Sequence, residues 1–198
     1  MTALGFTVIF HSPFRVGSAY ARDSVDAALD EHDPLPPDHL KGLMRAAAVD
    51  LLGAAGDPAV LAVFGSAASP SPWSWSSALA DWSSAPAGQP PGKDWKVSRR
   101  HRVRIDTQTH TAVKDQLVLG EQAWAPAARF QVTCAGILDP GRLSEPDHIL
   151  ILRCSAAAVH GLGAWRRRGL GWVGVTPDDG PVTAAEAGRL YAMAGAGR

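Results

Sequence analysis

The sequence contains little of what disulfide-stabilised or zinc-binding proteins need. It has 2 cysteines, Cys134 and Cys154, and both lie within apolar, strand-like runs. Two isolated cysteines exclude a disulfide framework and favour free, buried thiols. The cysteines and the 7 histidines form neither a CxxC nor an HxxxH motif, so a zinc site has little support. No serine lies in a nucleophile-elbow motif of the hydrolase type.

An excess of charge is also absent. The 19 basic and 19 acidic side chains give a formal net charge of zero. No global field therefore attracts nucleic acid, and an anion-binding site must come from local clustering. No basic leader precedes an apolar stretch, and no apolar run approaches the thickness of a bilayer. These absences predict a soluble protein of the reducing cytoplasm that has no membrane partner.

The basic side chains are nevertheless concentrated in two short segments, of which the first covers residues 96–104. Its alternation of basic and apolar residues would place Arg100, Arg102 and Arg104 on one face of a strand. Arginines on one face suit a phosphate chain. They are equally typical of a solvated edge strand, where charge prevents aggregation.

The second basic segment is residues 161–174 (GLGAWRRRGLGWVG). Its glycines let the backbone approach a ligand closely, and three consecutive arginines supply guanidinium groups that suit a polyanion. Three of the glycines also match the GxGxxG fingerprint of dinucleotide-binding proteins. That fingerprint must open a helix, whereas the residues that follow here predict a strand. A nucleic-acid backbone is therefore the favoured ligand.

The rest of the sequence predicts a single domain spanning residues 1–198. Alternating apolar residues predict strands, and helical spacing predicts helices at 38–53, with Asp38 as N-cap, at 58–64 and at 183–194. Periodicity leaves residues 149–154 open between a strand and a buried helix. Residues 66–93 have the composition of a linker, but the tryptophans in or beside them indicate packing on the domain. Without strict alternation of strands and helices, the fold class is α+β.

An acidic loop, residues 19–35, precedes the first predicted helix. It contains Asp23, Asp26, Asp30, Glu31 and Asp33. A run of charge is usually a solvated loop. Carboxylates beside a phosphate-binding surface are also the means by which Mg²⁺ is brought to a phosphodiester.

Five segments, taken in order, resemble the RAMP superfamily, the repeat-associated proteins of CRISPR effector complexes. They are most similar to the backbone subunits of type III complexes. The segments are residues 10–18 (FHSPFRVGS), 35–45 (LPPDHLKGLMR), 63–66 with 71–78 (VFGS and SPWSWSSA), 103–112 with 119–121 and Phe130 (VRIDTQTHTA and LGE), and the glycine segment 161–174.

The resemblance implies a modified ferredoxin-like (RRM-like) palm with an inserted β-hairpin thumb at about residues 84–123. It also implies that copies of the chain stack along one CRISPR RNA with other subunits of the complex, and that target RNA is a further partner. The residues that it assigns to RNA binding are basic or glycine: Arg15, Lys41, Arg45, Arg100, Arg102, Arg104, Gly161, Gly163, Arg166, Arg167, Arg168, Gly169 and Gly171.

The resemblance further implies a catalytic aspartate in the acidic loop. Asp26 and Asp23 are the two candidates, and Asp26 is also the expected ligand of Mg²⁺. The chemistry would be attack of a ribose 2′-OH on its own phosphate. Two alternatives remain: a non-catalytic scaffold or capping subunit, and a guide-processing endoribonuclease that uses His11, His32 or His39.

Overall fold

The central strand, β1 (Ala3–Phe10), follows from its alternating sequence. In the computed structural model, which describes residues 2–17, 25–81, 83 and 94–196, Phe6, Val8 and Phe10 are buried. Thr7 and Ile9 project to the other face, where Ile9 is 38% exposed. Because side chains alternate along a strand, β1 has one core face and one open face.

The other elements mix helices and strands, as the sequence predicts. They are α1 (Pro37–Leu52), α2 (Pro58–Phe64), β2 (Trp73–Trp75), β3 (Leu79–Asp81), β4 (Lys96–Ile105), β5 (Ala112–Trp124), β6 (Ala127–Cys134), α3 (Glu145–Ala157), β7 (Val173–Pro177) and α4 (Ala184–Ala196). Every pairing between these strands is antiparallel. No helix in the described part of the chain combines the length and apolar character needed to cross a bilayer.

The main sheet has the strand order β2-β6-β1-β7, and β3 pairs with β6 beyond the end of β2. Helices α1 and α3 pack side by side on the core face, and α4 contacts both. The phenyl rings of Phe6 and Phe130 stack across β1 and β6 with centroids 5.2 Å apart. The opposite face of the sheet carries mainly polar side chains, such as those of Arg129 and Gln131.

The helices agree with the sequence analysis except at one cap. Helix α1 begins after Pro36, and Asp38 lies in its first turn. The prediction of Asp38 as N-cap is wrong, because the proline at position 37 occupies the first helical position and moves the cap to Pro36. Helix α2 has the predicted bounds, and the carboxylate of its N-cap, Asp57, accepts a hydrogen bond from the amide of Ala59.

The segment at 149–154 is helical and forms the middle of α3. Cys154 therefore lies in a helix rather than in the expected strand-like run, while Cys134 ends strand β6, and both are free thiols. Helix α3 is buried nearly all round, which is why its apolar residues show no helical period.

Strands β4 and β5 form a separate two-stranded hairpin inserted before β6. The carboxylate of Asp106 closes its turn by accepting hydrogen bonds from the amides of Gln108 and Thr109. These amides hold the pKa of Asp106 below its ordinary value. The hairpin lies where the sequence predicts a thumb, although residues 84–93 of that predicted insertion lie outside the described residues.

Candidate nucleic-acid interface

The predicted glycine segment, residues 161–174, falls mostly in a loop of residues 159–172 between α3 and β7, which we call the glycine loop. This loop packs tightly against other backbone of the protein. Gly163 and Gly171 have φ values of 72° and 75°, which L side chains rarely adopt. A Cβ atom at Gly163 would lie 2.2 Å from the carbonyl oxygen of Arg15, and one at Gly171 would lie 2.0 Å from that of Leu162. These two glycines are thus required for packing within the protein. A strand, β7, follows the loop, as predicted.

Trp165 joins the glycine loop to the hairpin. Its ring lies against Gly120 of β5, where an added Cβ would come within 2.4 Å of Cη2. The guanidinium groups of Arg15 and Arg102 lie 5.0 Å and 4.5 Å from the centre of the same ring. Cation–π attraction of this kind contributes about 0.5–2 kcal/mol. Trp165 therefore holds two predicted RNA-binding arginines in fixed positions.

Arg166, Arg167 and Arg168 form a single exposed 3₁₀ turn directly after Trp165. Arg100 donates a hydrogen bond to the carbonyl of Arg168 over 3.3 Å, which fixes the turn to β4. The structure thus brings together six of the predicted residues from three distant parts of the sequence. We call them the arginine cluster: Arg15, Arg100, Arg102, Arg166, Arg167 and Arg168.

Arg15 is half-buried and connects the arginine cluster to the acidic loop through hydrogen bonds. It donates to the carbonyls of Ala27 and Ala28 over 3.1 Å and 3.3 Å. Burial lowers the pKa of Arg15, while the charge of Glu121 opposes that decrease. Glu121 is itself buried and accepts a hydrogen bond from the amide of Leu29. These contacts attach the acidic loop to the hairpin.

The structure places three other predicted residues away from the arginine cluster. Arg104 is exposed near the turn of the hairpin. Lys41 lies 5.5 Å from the ring centre of Trp75 in β2, at the opposite edge of the sheet from β7. Arg45 lines the same cleft of about 330 Å³ as Lys41, and its Nε is buried without a hydrogen-bond partner.

Asp26, one of the two candidates for the catalytic aspartate, is exposed at the edge of β5. Its Oδ2 accepts a hydrogen bond from the amide of Leu119 over 2.8 Å, and its own amide donates to the carbonyl of Leu119. Asp23 lies outside the described residues. Among the residues that are described, no three His, Cys, Asp or Glu side chains are grouped so as to hold a metal ion.

The three candidate histidines are dispersed. The Nε2 of His39 accepts a hydrogen bond from the amide of Gly163. Burial and the charge of Arg166 lower the pKa of His39, which favours the neutral ring that such a bond needs. His32 is exposed in the acidic loop, and His11 lies against Trp172.

Sequence reasoning missed the two tryptophans of the glycine loop. Trp165 and Trp172 stand among glycines and arginines, and only those neighbours were predicted to bind RNA. An aromatic residue at the centre of a basic run was the available signal, because guanidinium groups pack on aromatic faces. Glu121 lies in one of the segments that carry the resemblance, residues 119–121, but it was assigned no role, since its burial depends on the acidic loop folding over β5.

Together these elements define an α+β protein with one open sheet face and a basic loop fixed to an inserted hairpin. No protein-family model matches the sequence, and no curated protein matches it. Among solved structures, the chain is similar to a chain in the cryo-EM structure of the type III-B Cmr-beta bound to cognate target RNA. The TM-score is 0.62 at 12% identity, and the match covers 89% of this chain and 97% of that chain.

A chain of the type III-B Cmr-beta in its apo state is similar to the same extent, with a TM-score of 0.63, 12% identity and the same coverage. At this identity the likeness establishes a shared fold. Nearly the whole of both chains takes part in it.

Proposed function

We propose that this chain is an RNA-binding backbone subunit of a type III-like CRISPR ribonucleoprotein, several copies of which lie along one guide RNA. The observation that carries the proposal is the arginine cluster, which Trp165 holds together across the glycine loop and the hairpin. The shared fold with a chain of the type III-B Cmr-beta, which is described as binding cognate target RNA, supports the same conclusion.

The proposal includes a ferredoxin-like palm and a hairpin thumb. The palm would consist of β1, α1, β2 with β3, β6, α3 and β7, in the order of a split β-α-β unit. The strand order β2-β6-β1-β7 and the helices on one face support it. Strands β4 and β5 would be the thumb, inserted between the second and third strands of the palm.

The chemistry of the arginine cluster suits a sugar-phosphate chain rather than particular bases. Guanidinium groups donate two parallel hydrogen bonds to phosphate oxygens, and such contacts fix position without reading sequence. Selection of a target would then come from pairing between guide and target, as in other guided systems.

Replacement of Arg166, Arg167 and Arg168 by alanine tests the proposal. We expect weaker binding to single-stranded RNA and a smaller dependence of binding on salt. The slope of log K against log salt should fall by about 2, because each lost phosphate contact accounts for about 0.7. Fluorescence anisotropy over a series of salt concentrations measures both quantities.

A triple variant of exposed arginines elsewhere provides the control at equal net charge. Arg129, Arg142 and Arg189 are 63%, 73% and 59% exposed and lie outside the arginine cluster. Their replacement by alanine should leave the slope nearly unchanged. Equal slopes for the two triple variants would mean that binding follows net charge alone, and the arginine cluster would lose its assigned role.

Cleavage of target RNA is a second candidate function, favoured by the exposed carboxylate of Asp26 next to the main-chain carbonyls that bind Arg15. Asp26 would orient or deprotonate a ribose 2′-OH for attack on its own phosphate. Arginines nearby would stabilise the charge that develops on the phosphate.

The pair Asp26→Asn and Asp26→Ala separates chemistry from structure. Asparagine keeps an oxygen that accepts the Leu119 amide, whereas alanine removes it. If Asp26 is catalytic, the assembled complex should lose cutting of guide-complementary RNA in both variants, with assembly retained in Asp26→Asn. Assays with Mg²⁺ and with chelator test the predicted metal requirement. Normal cutting by Asp26→Asn would exclude Asp26 as a catalyst, and a parent complex that never cuts would leave the scaffold function alone.

A further inference from the structure

An exposed pair of aromatic rings lies beside the glycine loop, on the open face of the sheet. Trp172 is 64% exposed, whereas Trp73 and Trp75 are 3% and 7% exposed. The imidazole of His11 lies 4.7 Å from the Trp172 ring, at an angle of 44°. A single exposed apolar residue is ordinary on protein surfaces. Trp172 differs from such residues because it is held in place and lies beside the arginine run.

Hydrogen bonds hold the backbone of His11 and Trp172, the two residues that carry these rings. The amide of His11 donates to the carbonyl of Trp172 over 3.0 Å, and the amide of Trp172 donates to the hydroxyl of Ser12 over 2.9 Å. Trp172 also pairs with Gly161 in an antiparallel bridge. With the backbone fixed in this way and His11 against the ring, only the side-chain torsions of Trp172 remain to be ordered when a flat ligand stacks on it.

The arginine run lies next to Trp172. Residues that are directly opposite in an antiparallel pair project to the same face, so a side chain at Gly161 would project beside that of Trp172. The Cδ of Arg166 occupies this space, 3.3 Å from where a Cβ of Gly161 would lie. The Arg166 guanidinium can therefore reach a phosphate attached to a group that lies on the Trp172 ring.

We propose that Trp172 and His11 form a base-stacking site for single-stranded RNA, in which one nucleobase lies on the indole and Arg166 contacts the neighbouring phosphate. The inference rests on the RNA-binding function proposed above and names the part of the RNA that this surface binds. Aromatic rings beside a positive track are the usual means of binding single strands, with only the modest base preference that stacking strength gives. The three adjacent exposed arginines favour a polyanion over a protein. Because tryptophan and arginine are also common at protein interfaces, contact with a protein is one of the outcomes that the experiment below distinguishes.

Trp172→Ala and Trp172→Phe test the site in the full-length protein. Binding to 12-nucleotide oligoadenylate and oligouridylate is measured by anisotropy over a range of salt concentrations. We expect Trp172→Ala to weaken binding of oligoadenylate about tenfold, since stacking on an aromatic side chain accounts for about that factor or more per base. The salt slope should stay unchanged because no phosphate contact is lost. Trp172→Phe, which keeps a flat ring, should retain most of the affinity.

Tyr191→Ala is the matched control, because Tyr191 is 82% exposed on α4 and should not contribute. The wild-type protein should also prefer adenylate, the better stacking base, and Trp172→Ala should lose that preference. Circular dichroism checks that the variants are folded.

Unchanged oligoadenylate affinity in a folded Trp172→Ala protein overturns the stacking site. If the Arg166–Arg168 triple variant still loses affinity in that case, the proposed RNA-binding function stands without it. If Trp172→Ala changes the mass of the protein in sedimentation but not its RNA binding, the ring pair is a protein contact and the inference is wrong. Failure of the wild-type protein to bind either oligonucleotide overturns the proposed function and the stacking site together.

Discussion

Arg153 carries a positive charge into the helix layer, where α3 meets the chain that follows β7. Arg153 is 8% exposed. Its guanidinium group forms ion pairs with Asp179 and with Glu186, the latter over 2.8 Å. Glu186 also accepts the amide and hydroxyl of Thr183, and its own amide donates to that hydroxyl. This is a capping box at the start of α4. One carboxylate therefore caps a helix and neutralises a buried charge.

Glu186→Gln should lower the free energy of unfolding by about 1–2 kcal/mol at pH 7, since glutamine keeps the cap but leaves Arg153 with less compensating charge. The hydrogen bonds from Arg153 and then Thr183 lower the pKa of Glu186 from 4.5 to about 2. Because the folded pKa lies below the unfolded one, this stabilisation is present above about pH 4.5 and is lost as the pH falls towards 2.

Urea unfolding at several pH values measures this effect. The difference in stability between wild type and Glu186→Gln should shrink between pH 4.5 and 2. Asp50→Asn, which changes an exposed carboxylate on α1, is the control. A difference that stays constant over that range would show that the charge of Glu186 is not responsible.

At the scale of elements, the hairpin is joined to the rest of the molecule along strand β5. Phe14 forms an antiparallel bridge to Ala123, and Ala27 forms a parallel bridge to Gly120. Trp165 covers Gly120 from the glycine loop. Three segments far apart in sequence thus converge on one stretch of β5, and the position of the arginine cluster depends on that convergence.

Gly120→Ala should displace Trp165, because the new methyl group would lie 2.4 Å from its ring. We expect destabilisation of about 1–3 kcal/mol, typical of an overpacked site, and weaker RNA binding as the arginines lose their common support. Thermal unfolding and anisotropy measure the two effects.

Gly188→Ala is the control for this change, since a Cβ at Gly188 would meet nothing within 4 Å. It lies inside α4, where alanine in place of glycine stabilises a helix by about 0.5–1 kcal/mol. If Gly120→Ala left both stability and binding at the wild-type level, Trp165 would not be packed as described.

At the scale of the whole molecule, a neutral chain has one strongly positive region. The net charge is zero, and yet the arginine cluster gathers six guanidinium groups from residues 15 to 168. Local potential of this kind directs a polyanion to one surface. It also leaves other faces available for the contacts that the proposed stacking of copies along one RNA would need.

The proposed backbone role predicts that the protein expressed with its guide RNA elutes as a large ribonucleoprotein. The Arg166–Arg168 triple variant should elute as a smaller species, because copies that do not bind the guide cannot assemble along it. Size-exclusion chromatography with light scattering gives both masses. A sharp monomer peak in the presence of guide would count against the backbone role.

Local features of the fold were determined by the sequence alone. Strand β1 and helices α1 and α2 follow from side-chain periods of 2 and 3.6, which depend only on neighbouring residues. The strand through Arg100 and Arg102 and the strand after the glycine loop are confirmed for the same reason. The register of β4 shifts between Val103 and Ile105, so the predicted shared face does not extend to Arg104. The same reasoning could not decide between strand and helix for residues 149–154. Helix α3 is buried nearly all round, so its apolar residues show no period.

The candidate site was decided by the tertiary structure. Arg15, Gly120, Arg102 and Trp165 meet because the chain passes from β1 through the hairpin to the loop before β7, and no local pattern encodes that meeting. The separation of Lys41 and Arg45 from the arginine cluster follows from the strand order, which places β2 and β7 at opposite edges of the sheet. Local sequence specifies which way each side chain projects from its own element, whereas the pairing of distant elements determines which side chains become neighbours.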